Sequence, residues 1–434
     1  MIRLRTAILM TLALACFGQS PASDPASQAR LIQENNELSQ SLGDAGQSMI
    51  DRVKAFERHI QKYPDSTQRA TIERSLLALA MEMNDKERII LYGEKALAAG
   101  GGDDMKVLDK LTAALVETGT GSLNQARLRR AVDYAKRYRK AAADWLAKGA
   151  PGAFTLAAYT EELNRIAARA LALEADATGG LGNAEEAVRL ALQSWQTFPT
   201  SEGARTAGLW LEKLGRGKEA IEYYADAFTL QDARNTDQDR AHDRATLGAL
   251  YTALNGSEKG LGDAILNAYD RTAALIAGQK ALLRAKDPNA DAAAAMDFTL
   301  PALDGPPLVL RSLKGKTIVM DFWATWCAPC KVQHPMIEAV RKKLGNPADV
   351  VFLSIDTDED HSLVRPFLKD IGWETANVYF QDGMAVKLTV SAIPTVLVID
   401  PSGEVSSRLA GFVADRFEEL LTARIQEARQ SARK

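Results

Sequence analysis

The chain has 434 residues, 46% of them hydrophobic, 25% charged and 6% aromatic, with a formal net charge of −3. That length exceeds one ordinary hydrophobic core, and the apolar fraction excludes disordered and collagen-like classes. The 53 basic residues against 56 acidic ones leave no electrostatic footprint for nucleic acid, and three cysteines cannot build a disulfide scaffold.

Residues 1–22 have the layout of an export signal. Arg3 and Arg5 supply a basic start, and Ala7 to Ala15 form an apolar run too short to span a bilayer. Two processing readings follow. Ala13-Leu14-Ala15 before Cys16 resembles a lipoprotein signal, in which Cys16 is acylated and anchors the chain to a membrane. Ser20-Pro21-Ala22 is a small-x-small cleavage pattern, in which Cys16 is discarded with the signal and the exported protein is soluble. The second reading is preferred, because Ala13 stands where a lipoprotein signal carries a larger aliphatic residue. Both place the mature protein outside the cytoplasm, in the periplasm or cell envelope. No other stretch reaches the length of a membrane span.

From 23 to 290 the pattern is helical: alanine and leucine recur at three- and four-residue spacing, broken by short glycine or proline turns. Leu181-Gly182-Asn183-Ala184-Glu185-Glu186-Ala187-Val188 is echoed by Leu214-Gly215-Arg216-Gly217-Lys218-Glu219-Ala220-Ile221, 33 residues later. Asn84 to Ala98 and Leu123 to Lys136 look similar. This spacing resembles tetratricopeptide-type helical hairpins, in which small residues let paired helices approach and stacking buries a shared seam. The alternative is an irregular α-helical domain. Arrays of this kind offer a concave surface for a protein partner. His59 and His242 have no second ligand one turn away and read as packing or surface residues, not metal ligands.

The pattern changes near residue 290, and 291–434 reads as an α/β domain. Strands are expected at Asp297–Leu300, Leu308–Leu310, Thr317–Phe322, Val350–Ile355, Val378–Phe380, Thr395–Ile399 and Val405–Leu409. Helices are expected near 330–344, 360–371 and 414–428. The fold class is thus multidomain: an all-α helical-hairpin array followed by an α/β domain.

Trp326-Cys327-Ala328-Pro329-Cys330 falls between a buried strand and a helix. At a helix N-terminus, unpaired N–H groups and the helix dipole favour the Cys327 thiolate. Cys330 follows one turn later, in reach to resolve a mixed disulfide. A zinc site would need two further ligands, and with His334 one turn on and His361 distant there is no second pair. No metal or other cofactor is expected. Asp321, six residues before Cys327, is an acid inside an apolar strand; buried beneath the sulfurs it would have a raised pKa and take the proton from Cys330. Trp323 and Trp326 bracket the pair as a flat apolar contact surface. Pro394 opens a strand, where a cis bond after Ile393 would leave that backbone free to pair with a substrate strand. Pro335 is expected to kink the helix.

The segment Asp321–Lys331 (DFWATWCAPCK), Ile393-Pro394-Thr395 and the run from Gly403 to Gly411 are similar to the thioredoxin signature, cis-proline turn and closing strands. The lead-in from Phe298 to Lys316 and an insertion between Asp356 and Pro394 resemble the redoxin branch typified by TlpA and ResA. The resemblance spans about 135 residues, roughly 295–430. It implies a thioredoxin fold and a thiol–disulfide oxidoreductase that reduces disulfides of envelope protein clients and is recharged by a membrane thiol donor. Two departures stand out. Phe352 occupies the place of the lysine that thioredoxins keep near the buried acid, and the dipeptide between the cysteines is Ala-Pro, not Gly-Pro. Other classes are a thiol peroxidase, which lacks its expected proline before the cysteine, and a non-catalytic scaffold with an inert appendage. An oxidase direction stays open.

Overall fold

The computed structural model describes residues 25–431 apart from 101, 120–124, 153, 233, 346 and 413. The expected signal and Cys16 lie outside the described residues. The chain divides after Gly102 into two compact units.

The first unit holds α1 (Pro25–Ala45), α2 (Met49–Lys62), α3 (Arg69–Met83) and α4 (Lys86–Ala98). Its helix ends follow from local chemistry. The Ser48 hydroxyl and the Asp85 carboxylate accept backbone N–H groups at the starts of α2 and α4. Asn84 stops α3 in the left-handed region at φ 56°. Val53, Phe56, Ile72, Leu76 and Ile89 are buried at 5% exposure or less.

The second unit begins with α5 (Met105–Thr118), α6 (Gln125–Lys148), α7 (Leu156–Gly180), α8 (Ala184–Thr197), α9 (Ser201–Lys213), α10 (Gly217–Thr229), α11 (Asp237–Asn255) and α12 (Leu261–Arg284). The two echoed segments fold alike. Gly182 and Gly215 both adopt positive φ, and the next residue's N–H reaches back to Thr178 and Leu211 respectively. Each therefore turns one helix sharply into the next, α7 into α8 and α9 into α10. Small residues bring the pairs together: a Cβ on Gly179 would fall 2.3 Å from the Trp210 ring, and one on Gly208 would fall 2.9 Å from Tyr224. Trp210 lies in the core and donates its indole N–H to Asp176 at 2.8 Å.

The same unit ends in a five-stranded sheet of order β5-β4-β3-β6-β7, built from β3 (Thr317–Trp323), β4 (Val350–Asp356), β5 (Val378–Phe380), β6 (Thr395–Ile399) and β7 (Val405–Ala410). Strands β3, β4 and β5 are parallel; β6 pairs antiparallel with β3, and β7 pairs antiparallel with β6. A two-stranded lead-in, β1 (Thr299–Leu300) and β2 (Leu308–Val309), precedes it. The helices are α13 (Ala328–Lys343), α14 (Val364–Ile371), α15 (Met384–Lys387) and α16 (Phe417–Ser431). Central β3 is buried along its whole length, and its alternation sorts two cores. Ile318, Met320 and Phe322 pack with Phe298, Leu310 and Met384 on one face. Val319 packs with Ile337, Val340, Phe417 and Leu421 on the other, under α13 and α16.

Three details differ from the expected elements. The strand expected from Asp297 starts later, because the Asp297 carboxylate accepts the N–H groups of Ala293 and Ala294 and curls the chain into a 3₁₀ turn. Leu310 likewise opens a 3₁₀ turn and does not extend β2. Helix α15 is too short to show a helical period in the sequence. Pro335 lies inside α13, at the position where a kink is expected.

Candidate active site

Cys327 is the N-cap residue of α13, and its sulfur accepts the N–H of Cys330 at 3.3 Å. The two sulfurs are joined in a disulfide. Both cysteines are nearly buried, in a cluster with Trp323, Ala324, Val364, Leu368 and Phe380 against which Ile393 packs. The Cys327 N–H closes a turn onto Ala324 at 3.1 Å. A sulfur so placed faces the unpaired N–H groups of a first helical turn, which is where a thiolate is stabilised.

Asp321 shares its strand face with Val319 and Trp323, so its carboxyl projects under α13 among apolar groups. It is 5% exposed, and burial pushes its pKa up to about 7, while a hydrogen bond from Gln333 pulls the other way. Gln333 lies one turn beyond Cys330, is itself 1% exposed, and donates from Nε2 to Asp321 Oδ1 at 3.3 Å. Its Oε1 is buried without a hydrogen-bond partner among the described residues. Opposite Asp321, β4 places Ser354, with Phe352 two residues earlier in the pairing; neither can donate a cationic charge. A cavity of about 290 Å³ between α13 and β4 is lined by Asp321, His334, Phe352, Ser354 and Trp373, and gives the buried acid a route to solvent.

The Ile393–Pro394 bond is cis, and the Pro394 carbonyl accepts the Gly411 N–H at 2.9 Å. The two tryptophans part company. Trp326 is 71% exposed beside Cys327, but Trp323 is 1% exposed, stacked on Phe367 and edge-on to Trp373. The expectation that both present a contact surface is corrected: Trp323 ends β3, which is buried on both faces, and lies under Phe367 and Trp373, whereas Trp326 sits in the turn before α13 and faces outward. His334 packs against the same aromatic cluster. It stacks on Trp373 at 3.7 Å, and burial lowers its pKa to about 4.

Three residues escaped the sequence reading. Gln333 was detectable only as the residue three after Cys330 on the same helix face. Asp356 ends β4 and Asp358 follows two residues on; burial together with the neighbouring Asp358 carboxylate raises the Asp356 pKa to about 9. Asp358 accepts the Thr325 N–H at 2.7 Å and its hydroxyl at 3.0 Å.

A dithiol pair at a helix start, a buried acid behind it and a cis-proline turn beside it define a thioredoxin-type redox protein. Residues 315–405 match the model of a thioredoxin-like family. The chain is 30% identical over 119 residues to thiol-disulfide oxidoreductase ResA of Bacillus thuringiensis, covering 27% of this chain and 68% of that protein. It is 30% identical over 110 residues to thioredoxin-like protein YneN of Bacillus subtilis, but spans only 65% of that relative's length and 25% of its own. It is 39% identical over 83 residues to a thioredoxin of Coprinus comatus, covering 19% of this chain and 76% of the relative. A thiol:disulfide interchange protein structure from Chlorobium tepidum aligns at 28% identity and TM-score 0.27, over 30% of this chain and 92% of that one. The chain belongs to the thioredoxin-like family of thiol–disulfide oxidoreductases, through its C-terminal part.

Proposed function

We propose that the protein is exported and reduces disulfides of envelope proteins, with Cys327 as nucleophile and Cys330 as resolving thiol. The observation that carries this is the buried Asp321 carboxyl behind a disulfide whose Cys327 caps α13. In the reduced enzyme the Cys327 thiolate attacks one client sulfur, forming a mixed disulfide and releasing the other as a thiolate. Cys330 then loses its proton to Asp321 and attacks the Cys327 sulfur. The second client thiolate leaves, and the enzyme disulfide closes with two electrons passed to the client. A dithiol donor at the membrane returns those electrons. Exposed Trp326 and the backbone at Ile393 and Pro394 receive the client chain.

The helical hairpins before residue 290 recruit a protein partner, as tetratricopeptide-like arrays do. Export rests on the sequence of residues 1–22, and Cys16 is either acylated or removed with the signal. No helix among the described residues is long and apolar enough to cross a membrane.

The test is a Cys330→Ser variant expressed with its own signal. It should trap envelope proteins as mixed disulfides at Cys327, and the wild type should reduce insulin. Absence of both refutes the catalytic reading. Trapping that persists unchanged when exposed charged residues across α1 to α12 are reversed in sign refutes recruitment. Mass spectrometry of the mature N-terminus decides the fate of Cys16.

A further inference from the structure

The connection between α6 and α7 packs against the redox part of its unit at Gly152 and Thr155. The Gly152 carbonyl accepts the Gly383 N–H at 2.8 Å. A Cβ on Gly152 would lie 3.1 Å from the Gln381 side chain and 3.2 Å from the Asp358 carbonyl. Gly152 does not adopt positive φ, so the glycine answers to close approach and not to backbone conformation. The same connection is fastened from behind: Asp287 accepts the Ala157 N–H at 2.7 Å, in the first turn of α7.

Asp358 is 2% exposed and stands where these contacts meet the active site. Its carbonyl faces Gly152, its N–H goes to Asp356 at 3.2 Å, and its carboxylate takes both donors of Thr325. Thr325 lies in the Ala324–Cys327 turn that delivers the Cys327 sulfur to the N-cap of α13. Hydrogen bonds to a carboxylate are the stronger kind, so this turn is held mainly by Asp358. Nothing in the redox step itself calls for a carboxylate there, and its charge opposes a thiolate two residues on.

We propose that Asp358 is a positioning residue for Cys327, and that the α6–α7 connection, seated against it at Gly152, sets that position. The helical region thereby governs the reactivity of the dithiol from a place that touches neither sulfur. The inference rests on the redox role of Cys327 and not on the identity of any client.

The test uses the full chain in reduced form. Alkylation at Cys327 is followed by mass spectrometry from about pH 5 to 9, beside thermal unfolding and insulin reduction. Loss of the Asp358 charge alone favours the thiolate, so Asp358→Asn, which keeps an acceptor for Thr325, should react at least as fast as wild type. Asp358→Ala keeps no acceptor and should react about fivefold more slowly near neutrality, its profile displaced to higher pH. Gly152→Ala and Gly152→Val change no charge, and should slow the reaction in that order. If the Gly152 variants lower the unfolding temperature yet keep the wild-type alkylation profile, the role is structural only and the proposal fails. It fails equally if Asp358→Ala reacts as fast as Asp358→Asn. Should Asp358→Ala not fold, the Gly152→Ala profile decides alone. Wild-type protein that cannot reduce insulin would overturn the catalytic reading instead, leaving the alkylation comparison intact.

Discussion

The Gln333 amide donates to the Asp321 carboxylate at 3.3 Å, joining the helix that carries both cysteines to the one acid on the strand beneath it. Both residues are almost fully buried, and the amide is the hydrogen-bond partner that holds the Asp321 pKa down against burial. In the proposed mechanism this acid, poised near neutrality, takes the proton from Cys330. The arrangement is costly to the fold, and that cost is measurable.

Asp321→Asn should stabilise the protein at neutral pH while slowing catalysis. The folded pKa of about 7 lies above the ordinary value of 3.8, so the native state binds more protons than the unfolded one between them. Stability is therefore lost as pH rises from about 4 to 7 and stays low above that. Asparagine escapes the penalty. Urea unfolding should show a gain of about 4 kcal/mol at most at neutral pH, vanishing in acid. The resolving step, read by release of client from the mixed disulfide, should slow by about tenfold or more.

Gln333→Leu removes the donor but keeps the volume. The Asp321 pKa should rise further, because the amide favours only the ionised form. The pH profile of single-turnover insulin reduction should move to the alkaline side, by about half a unit to one unit. An unmoved profile would mean that another group sets the ionisation of Asp321.

Trp326→Ala tests the client surface. At 71% exposure the ring contributes little to the fold, so unfolding should change by no more than about 0.5 kcal/mol. KM for a protein disulfide should rise several-fold, while reduction of a small disulfide stays near wild type. Equal loss on both substrates would instead place the ring in the chemistry.

Much of this site was legible because its signals are local. The dithiol, the acid in an apolar strand and the proline before a strand each violate a propensity rule within a few residues, and the fold keeps such violations for function. Trp323 and Trp326 were not separable that way; what decides is that Phe367 and Trp373, from a distant stretch of chain, cover Trp323 and leave Trp326 exposed. Gln333 was hidden for a different reason. A polar residue on a helix reads as a solvated face, and its burial depends on Asp321 arriving from another element. Asp358 depends on Gly152, more than two hundred residues earlier in the chain, so no window of sequence contains the relationship.

The junction near residue 290 offers a last case in which burial and charge act together. Asn289 is fully buried; its side chain accepts the Thr299 N–H at 2.7 Å, donates to the Thr299 carbonyl at 2.8 Å and also donates to the Asp382 carboxylate. Asn289→Ala deprives all three of that partner in a half-buried site and should cost about 1–3 kcal/mol in urea unfolding. Tryptic cleavage at Lys286 should accelerate. The cost should also depend on pH. Burial raises the Asp382 pKa and the Asn289 amide lowers it, so losing the amide penalises the ionised carboxylate alone. Below the Asp382 pKa the acid is protonated and the difference from wild type shrinks; as pH rises through it the difference grows to its full size. A penalty constant across that range would show that the Asp382 contact contributes nothing, and that the Thr299 pairing alone holds the junction.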